Sequence, residues 1–489
     1  MGHTSVSHRV RNWVRGIIVA AVVLSIAGTR HDANLAPQFW LTDFRAFYCA
    51  GRAVDAGADP YRVQPLLACE RTVGEVISTN LNAVVPAPLP PFALGLFAAL
   101  GQLGFGQAAL VWSLLIAASL VATVVLLRGL TGLAALPVFC SVVLSVGFLS
   151  LYLGQPTAPV IALVCLAAWL LEGNRPVTAA LAAALTLIEP HVGLPICLSL
   201  ALWSPRTRVT LAASSIVLGA IGLAVVGAPV AVAYVRAVLP AQVLAEVHYP
   251  EQYSMTYFAA RLGAPDHLAI VLGDAVFCAA LLTGVTVAMT VRRSLGRPAA
   301  LVLIPAAVAV AAGPYVHLAH IAAAIPAALF LFAQERRLAT PLAVVIVLLA
   351  VPWGSFVLLS SSPLPLVLAV FGLLVATLFT PSFRTLVVAT TAAGAGLVAL
   401  RVCAVQWYHR PVPAGAIAPG VYASGAWRAF VDGTIWPQAT DAAFLLAKVP
   451  TAVGVVVLLA CIGRVVLGVR DPVRAAASAA PADAALLRA

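Results

Sequence analysis

Apolar runs of about 18–25 residues recur from one end of this chain to the other, and each can cross a hydrocarbon core of about 30 Å. The side chains between the runs are too few and too weakly polar to wrap them into a water-soluble globule. Of the 489 residues, 62% are hydrophobic and only 9% are charged, where a soluble domain carries about a quarter charged residues. In lipid each run must be helical, because backbone donors and acceptors find partners only within the segment. The sequence therefore predicts an all-α polytopic membrane protein, a bundle of roughly 12–14 transmembrane helices. The spans after the first are read at 106–127, 132–151, 157–171, 176–188, 191–204, 209–227, 267–291, 299–313, 315–334, 341–359, 364–380, 385–404 and 443–464. The first is the apolar stretch 16–27, which follows Arg9, Arg11 and Arg15 in the layout of a signal peptide. No convincing small-x-small cleavage site follows it, and many spans come after it, so an uncleaved helix is expected. The stretch 91–103 is too short to span and reads as re-entrant or interfacial.

The formal charge of +11 suggests nucleic acid until the charges are placed. They sit in short turns between apolar runs and report orientation, so no nucleic-acid partner is expected. With the N-terminus in the cytoplasm, the inner turns hold Arg128, Arg175, Arg206, Arg208, Arg292, Arg293, Arg297, Arg336, Arg337, Arg384 and Arg464. The other side receives outer loops at about 30–90, 228–265 and 405–441, with the turns near Gln155, Glu189 and His317. Both termini are then cytoplasmic, with one transmembrane domain over 1–470 and a disordered tail over 471–489. The Arg-for-Lys bias (Lys448 is the sole lysine) and the Ala, Val, Leu and Gly content fit a GC-rich bacterial genome, and hence a bacterial cytoplasmic membrane. Cys49 and Cys69 share the first outer loop and can pair on an oxidising side.

The outer side carries most of the acidic, aromatic and histidine residues, so chemistry is expected there. No GxxxxGK[ST] phosphate loop exists, and a reaction on that side needs a substrate activated beforehand and delivered in the membrane. A lipid-linked phosphosugar fits that requirement. A transporter or flippase is the rival class, but its usual internal repeat is not evident. In the first loop, Asp43 precedes Phe44, Phe47, Tyr48, Gly51 and Val54 at helical spacing, with Arg45, Arg52 and Asp55 opposite. That pattern predicts an amphipathic helix on the membrane surface. Asp43 can cap this helix or act as a general base toward a hydroxyl.

The run Thr42-Asp43-Phe44-Arg45-Ala46-Phe47-Tyr48-Cys49-Ala50-Gly51-Arg52-Ala53, followed by Ala56-Gly57-Ala58-Asp59-Pro60-Tyr61, resembles the first outer loop of the GT-C polyprenyl-phosphate-sugar glycosyltransferases. Other segments resemble the mannosyltransferase-like bacterial group, family GT87, in the same order. They are Pro86 to Phe92, Leu153-Gly154-Gln155-Pro156-Thr157, Tyr253-Ser254-Met255 with Arg261-Leu262, and Gly313 to His320. The resemblance implies a GT-C-type bundle, an inverting transfer with Asp43 as catalytic base, a polyprenyl-phosphate-linked sugar donor, and a lipid or glycan acceptor. It implies no cofactor. The leaving phosphate needs cationic or hydrogen-bonding partners, for which His317, His320, His191 and Arg261 are candidates, with Gln155 and Tyr61 as further substrate contacts. Asp59-Pro60-Tyr61 also reads as a turn. No metal is expected, since His317 and His320 lack further ligands at fixed spacing. One departure stands out: Ile188-Glu189-Pro190-His191 occupies the place where the family often carries Lys-Pro, so Glu189 stands where a phosphate-binding lysine is expected.

Overall fold

A computed structural model describes residues 40–354, 420–433 and 438–468, with isolated positions 372, 375, 378 and 379. The expected helix at 16–27, the expected spans at 364–380 and 385–404, part of 341–359, most of the 405–441 loop and the tail 471–489 lie outside them. Among the described residues every element is a helix, and the only strand-like pairings are isolated bridges. Six helices are long and apolar enough to cross a membrane: Phe105–Thr131, Ala135–Leu153, Pro205–Val226, Ala228–Glu246, Asp266–Leu295 and Ala442–Gly468. The pair Leu318–Gln334 and Arg336–Ala350, bent by 116°, makes a seventh if taken as one span. Shorter apolar helices at Thr157–Glu172, Pro176–Ile188, Pro190–Trp203 and Ala300–Val310 lie where the apolar runs predict spans. The chain is an all-α, multi-pass membrane protein.

Ala300–Val310 is buried at every residue and forms the centre of the bundle, against Asp266–Leu295 and Pro190–Trp203. Its alanines and valines allow that close approach on all sides. Pro205–Val226, by contrast, turns Val209, Ile216, Val217 and Leu223 outward. In lipid such exposure carries no penalty, because acyl chains are as apolar as the side chains. The turns divide between two ends. At one, Arg297 pairs with Glu172 at 2.9 Å and donates to the Leu130 carbonyl at 3.0 Å, clamping three arginine-bearing turns together. At the other, the turns near Gln155, Glu189 and His317 meet the first two outer loops around a cavity.

Two expectations are corrected here. The Thr42–Asp55 helix does not lie on the surface. It buries Phe44, Phe47 and Tyr48, and also Arg45, against Pro91–Gly101. The packing is so close that a Cβ on Gly51 would sit 2.1 Å from the Phe97 carbonyl oxygen. Arg45 is neutralised by protein, donating to the carbonyls of Val73 (2.9 Å) and Gly74. Periodicity reveals an apolar face but not whether lipid or another helix covers it, and here the short 91–101 helix does. The second correction concerns the outer loop read at 228–265, whose first half is helical over Ala228–Glu246, with a π-helical turn at Tyr234–Val238. Tyr234 donates its hydroxyl to the Pro88 carbonyl at 3.3 Å, and Gln242 and Glu246 line the cavity. The middle of this helix is thus tied to the first outer loop and its end to the cavity.

Candidate active site

The chain enters the Thr42–Asp55 helix through Leu41 in a left-handed conformation (φ 59°), and the Leu41 amide donates to the Tyr152 carbonyl at 2.7 Å. Asp43 is therefore inside the first turn and does not cap it. Its carboxylate instead accepts a hydrogen bond from the Gln155 amide nitrogen at 2.6 Å. The partner turn is built to meet it. Gly154 (φ +75°) ends the preceding helix, and a Cβ there would come within 2.6 Å of the Phe44 Cβ. The Trp112 indole donates to the Gly154 carbonyl at 2.7 Å and stacks on Phe44 at 5.7 Å. Helix start and turn are thereby locked to one another beside a cavity of about 660 Å³.

Asp43 is half-buried, and removal from water raises its pKa from 3.8 to about 6, opposed by the Gln155 hydrogen bond. Burial likewise raises Glu75 and Glu251, on the same walls, to about 7 each. For Glu75 the neighbouring Arg45 opposes the rise, and for Glu251 the Tyr249 hydroxyl does.

The opposite wall carries the histidines. His191 follows Glu189 and Pro190 at the start of Pro190–Trp203, and its ring centroid is 4.1 Å from that of His320. Glu189 accepts the Thr157 hydroxyl at 2.7 Å, and Thr157 is two residues from Gln155, so one turn supports both acids. His317 is held by the second loop: Gln252 bridges to it, contacts its Nε2 at 3.0 Å, and donates to Glu246 at 2.8 Å. The Tyr253 amide donates to the Val316 carbonyl at 2.7 Å, completing the stitch. Of the residues singled out from sequence, Asp43, Gln155, His191, His317 and His320 line this cavity. Tyr61 and Arg261 do not. Tyr61 is fully buried with its hydroxyl on the Leu89 carbonyl at 2.7 Å, bracing the first loop, while Asp59 accepts its amide in the expected turn. The Arg261 guanidinium packs over the Tyr257 ring at 5.3 Å.

Several lining residues were not singled out: Glu75, Glu246, Tyr249, Glu251, Trp427 and Lys448. Lys448 had a legible signal, since a sole lysine inside an apolar span is costly unless it serves the interior. It is 2% exposed, with Nζ 3.5 Å from the Tyr257 ring centroid, and takes the inward position expected of Arg261. Trp427 arrives on Ala423–Gly433, an amphipathic helix in the last outer loop, with Ala423, Trp427, Phe430 and Val431 buried at helical spacing.

Glu189, His191 and His320 bring ligand atoms within 4.8 Å of one another, so the third ligand missing from the 317/320 spacing is supplied from another helix. The ring of His320 speaks against a metal in this state. Its Nδ1 accepts the His317 backbone N–H at 3.1 Å, which leaves the proton on Nε2, the atom 4.0 Å from Glu189. The cluster thus presents an N–H donor beside a carboxylate. Both nitrogens of His191 and Oε2 of Glu189 are buried without hydrogen-bond partners, an arrangement that a polar ligand would relieve.

A model of glycosyltransferase family 87 matches residues 89–314. That region is of family 87 type. The match, a little under half the chain, bears out the resemblance read from the sequence, and with the apolar helices it supports the class of membrane glycosyltransferases. The family 87 region contains Gln155, Glu189, His191, Glu246 and Glu251, while Asp43 precedes it and His317, His320 and Lys448 follow it. No curated protein and no solved structure matches the chain.

Proposed function

We propose that this family 87 protein transfers a sugar (mannose or a related residue) from a polyprenyl-phosphate donor to a hydroxyl on a lipid- or glycan-linked acceptor. The reaction takes place on the outer face of a bacterial cytoplasmic membrane. Asp43 takes the proton of the acceptor hydroxyl as its oxygen attacks the anomeric carbon. The new C–O bond forms on one face, the bond to the phosphate oxygen breaks on the other, and the anomeric configuration inverts. Polyprenyl phosphate leaves with the bonding electron pair, met by N–H donors from His320 and its neighbours.

The observation that carries this reading is convergence. Five separate segments, namely the first loop, the Gln155 turn, the Glu189–His191 turn, the second loop and the His317–His320 turn, bring a half-buried carboxylate and three histidines to one cavity. The mostly apolar lining of that cavity suits an isoprenoid-borne substrate. The Cys49–Cys69 disulfide supports placement of the first loop on an oxidising side.

The test uses purified protein in detergent with a radiolabelled polyprenyl-phosphate sugar and a lipid acceptor. Release of polyprenyl phosphate with sugar transfer is expected from wild type, and loss of about a thousandfold or more from Asp43→Asn, the scale of a missing general base plus misaligned attack. Wild-type transfer by Asp43→Asn refutes the base. Translocation of intact donor across vesicles without cleavage establishes a flippase instead.

A further inference from the structure

We infer that Gln155 is a positioning residue, whose amide holds the Asp43 carboxylate ionised and aimed for proton abstraction. The inference rests on the reading of Asp43 as base and extends it to a residue whose ordinary role would be contact with sugar. Three independent features point to it. Gln155 donates to Asp43 Oδ2 at 2.6 Å, a short charge-assisted hydrogen bond. The nitrogen, and not the oxygen, must face the carboxylate, since two acceptors would repel. The Gln155 Oε1 has no hydrogen-bond partner, so no competing bond draws the amide elsewhere.

The third feature is the mounting of the pair. Leu41 is bonded to Tyr152, Gly154 to Trp112, and Phe44 is wedged against Gly154 and Trp112. These contacts sit immediately beside Asp43 in one segment and Gln155 in the other. Such a mounting fixes a reacting group far better than a bond between two mobile side chains. A glutamine that served only the sugar would not need its backbone tied to the helix that carries the base.

Burial makes the support necessary, and ionised Asp43 in turn disfavours ionisation of the acids around it. Glu75 from the first loop, and Glu246, Tyr249 and Glu251 from the second, all lie within electrostatic reach of Asp43. Glu189, the three histidines and Lys448 line the rest of the cavity. Burial favours the protonated form of Asp43, in which it cannot accept a proton. The Gln155 hydrogen bond opposes it.

The experiment is the pH–rate profile of the purified full-length enzyme, with donor KM and kcat measured separately for wild type, Gln155→Met, Gln155→Glu and Asp43→Asn. Gln155→Met keeps the side-chain length and removes the donor. The acid limb of kcat should move up by about one to two pH units, with kcat at pH 6 about tenfold lower and donor KM unchanged. Gln155→Glu keeps the size and adds a like charge, and should move the limb at least as far. An unmoved limb in both variants overturns the inference, as does a raised donor KM with the limb in place, which assigns Gln155 to the sugar. If Asp43→Asn transfers at the wild-type rate, the base reading has failed. If Asp43→Asn is dead while the Gln155 limbs stay put, only the positioning role has failed.

Discussion

An acid kept in a place that disfavours its charge should weaken the fold that holds it, and Asp43→Asn measures by how much. The carboxyl of Asp43 is raised from 3.8 to about 6. The folded state therefore binds a proton that the unfolded chain releases, and the sign follows from that difference. Below about pH 4 both states are largely protonated and the group costs little. As pH rises through the unfolded value the unfolded chain gains by ionising, and above the folded value the deficit is complete. Two pH units correspond to about 3 kcal/mol at pH 8, falling to about 0.5 kcal/mol at pH 4. Asparagine stays neutral at either pH and still offers an oxygen to the Gln155 amide. Asp43→Asn should therefore raise the unfolding midpoint of the detergent-solubilised protein at pH 8 and leave it nearly unchanged at pH 4, while transfer is lost. The buried thiols of Cys140, Cys165 and Cys461 give the readout, since a thiol-reactive dye reaches them only on unfolding. A midpoint gain equal at the two pH values, or a loss at pH 8, refutes the claim that Asp43 is held against its own ionisation.

Two further outcomes follow from the geometry. Gly154→Ala forces a Cβ into the Phe44 Cβ at 2.6 Å and a side chain into positive φ, so it should lower the midpoint and reduce kcat by tenfold or more, because Asp43 shifts with its helix. Both readings come from the same thermal and transfer assays, and a wild-type kcat refutes the locked mounting. Arg261→Gln should leave donor KM unchanged, since Arg261 packs on Tyr257 away from the cavity. A KM raised tenfold in steady-state transfer would return Arg261 to the donor site.

How much of this was legible in the sequence depends on what each feature needs for its expression. Apolar run length places helices because the bilayer core has a fixed thickness, and the predicted 106–127 and 267–291 became Phe105–Thr131 and Asp266–Leu295. Helix ends were less legible, since Arg128 and Arg292 extend beyond the apolar stretch without ending the hydrogen-bond ladder. The grouping of Gln155, Glu189 and His317 at one end follows from alternation of the spans, and the cavity indeed gathers them. Sequence failed where tertiary contact decides. The apolar face of Thr42–Asp55 reads the same whether lipid or Pro91–Gly101 covers it. The Ala228–Glu246 helix is apolar enough to span, but it carries Pro229, Arg236 and Pro240, and the sequence reading took it for part of a loop. The Glu189–His191–His320 cluster joins residues 131 positions apart along the chain, a juxtaposition no local spacing encodes.

One contact between distant loops bears on how such a protein is made. Tyr61 and Val63 of the first loop exchange backbone hydrogen bonds with Val421 and Ala423, and Arg62 lies 4.4 Å over the Tyr422 ring. The helix that follows this seam delivers Trp427 to the cavity, and the final span delivers Lys448. Asp43 stands early in the chain, while residues 420–448, which close this side of its cavity, come more than 370 positions later. A chain cut short before residue 420 should therefore lack Trp427 and Lys448 and leave that side of the cavity uncovered.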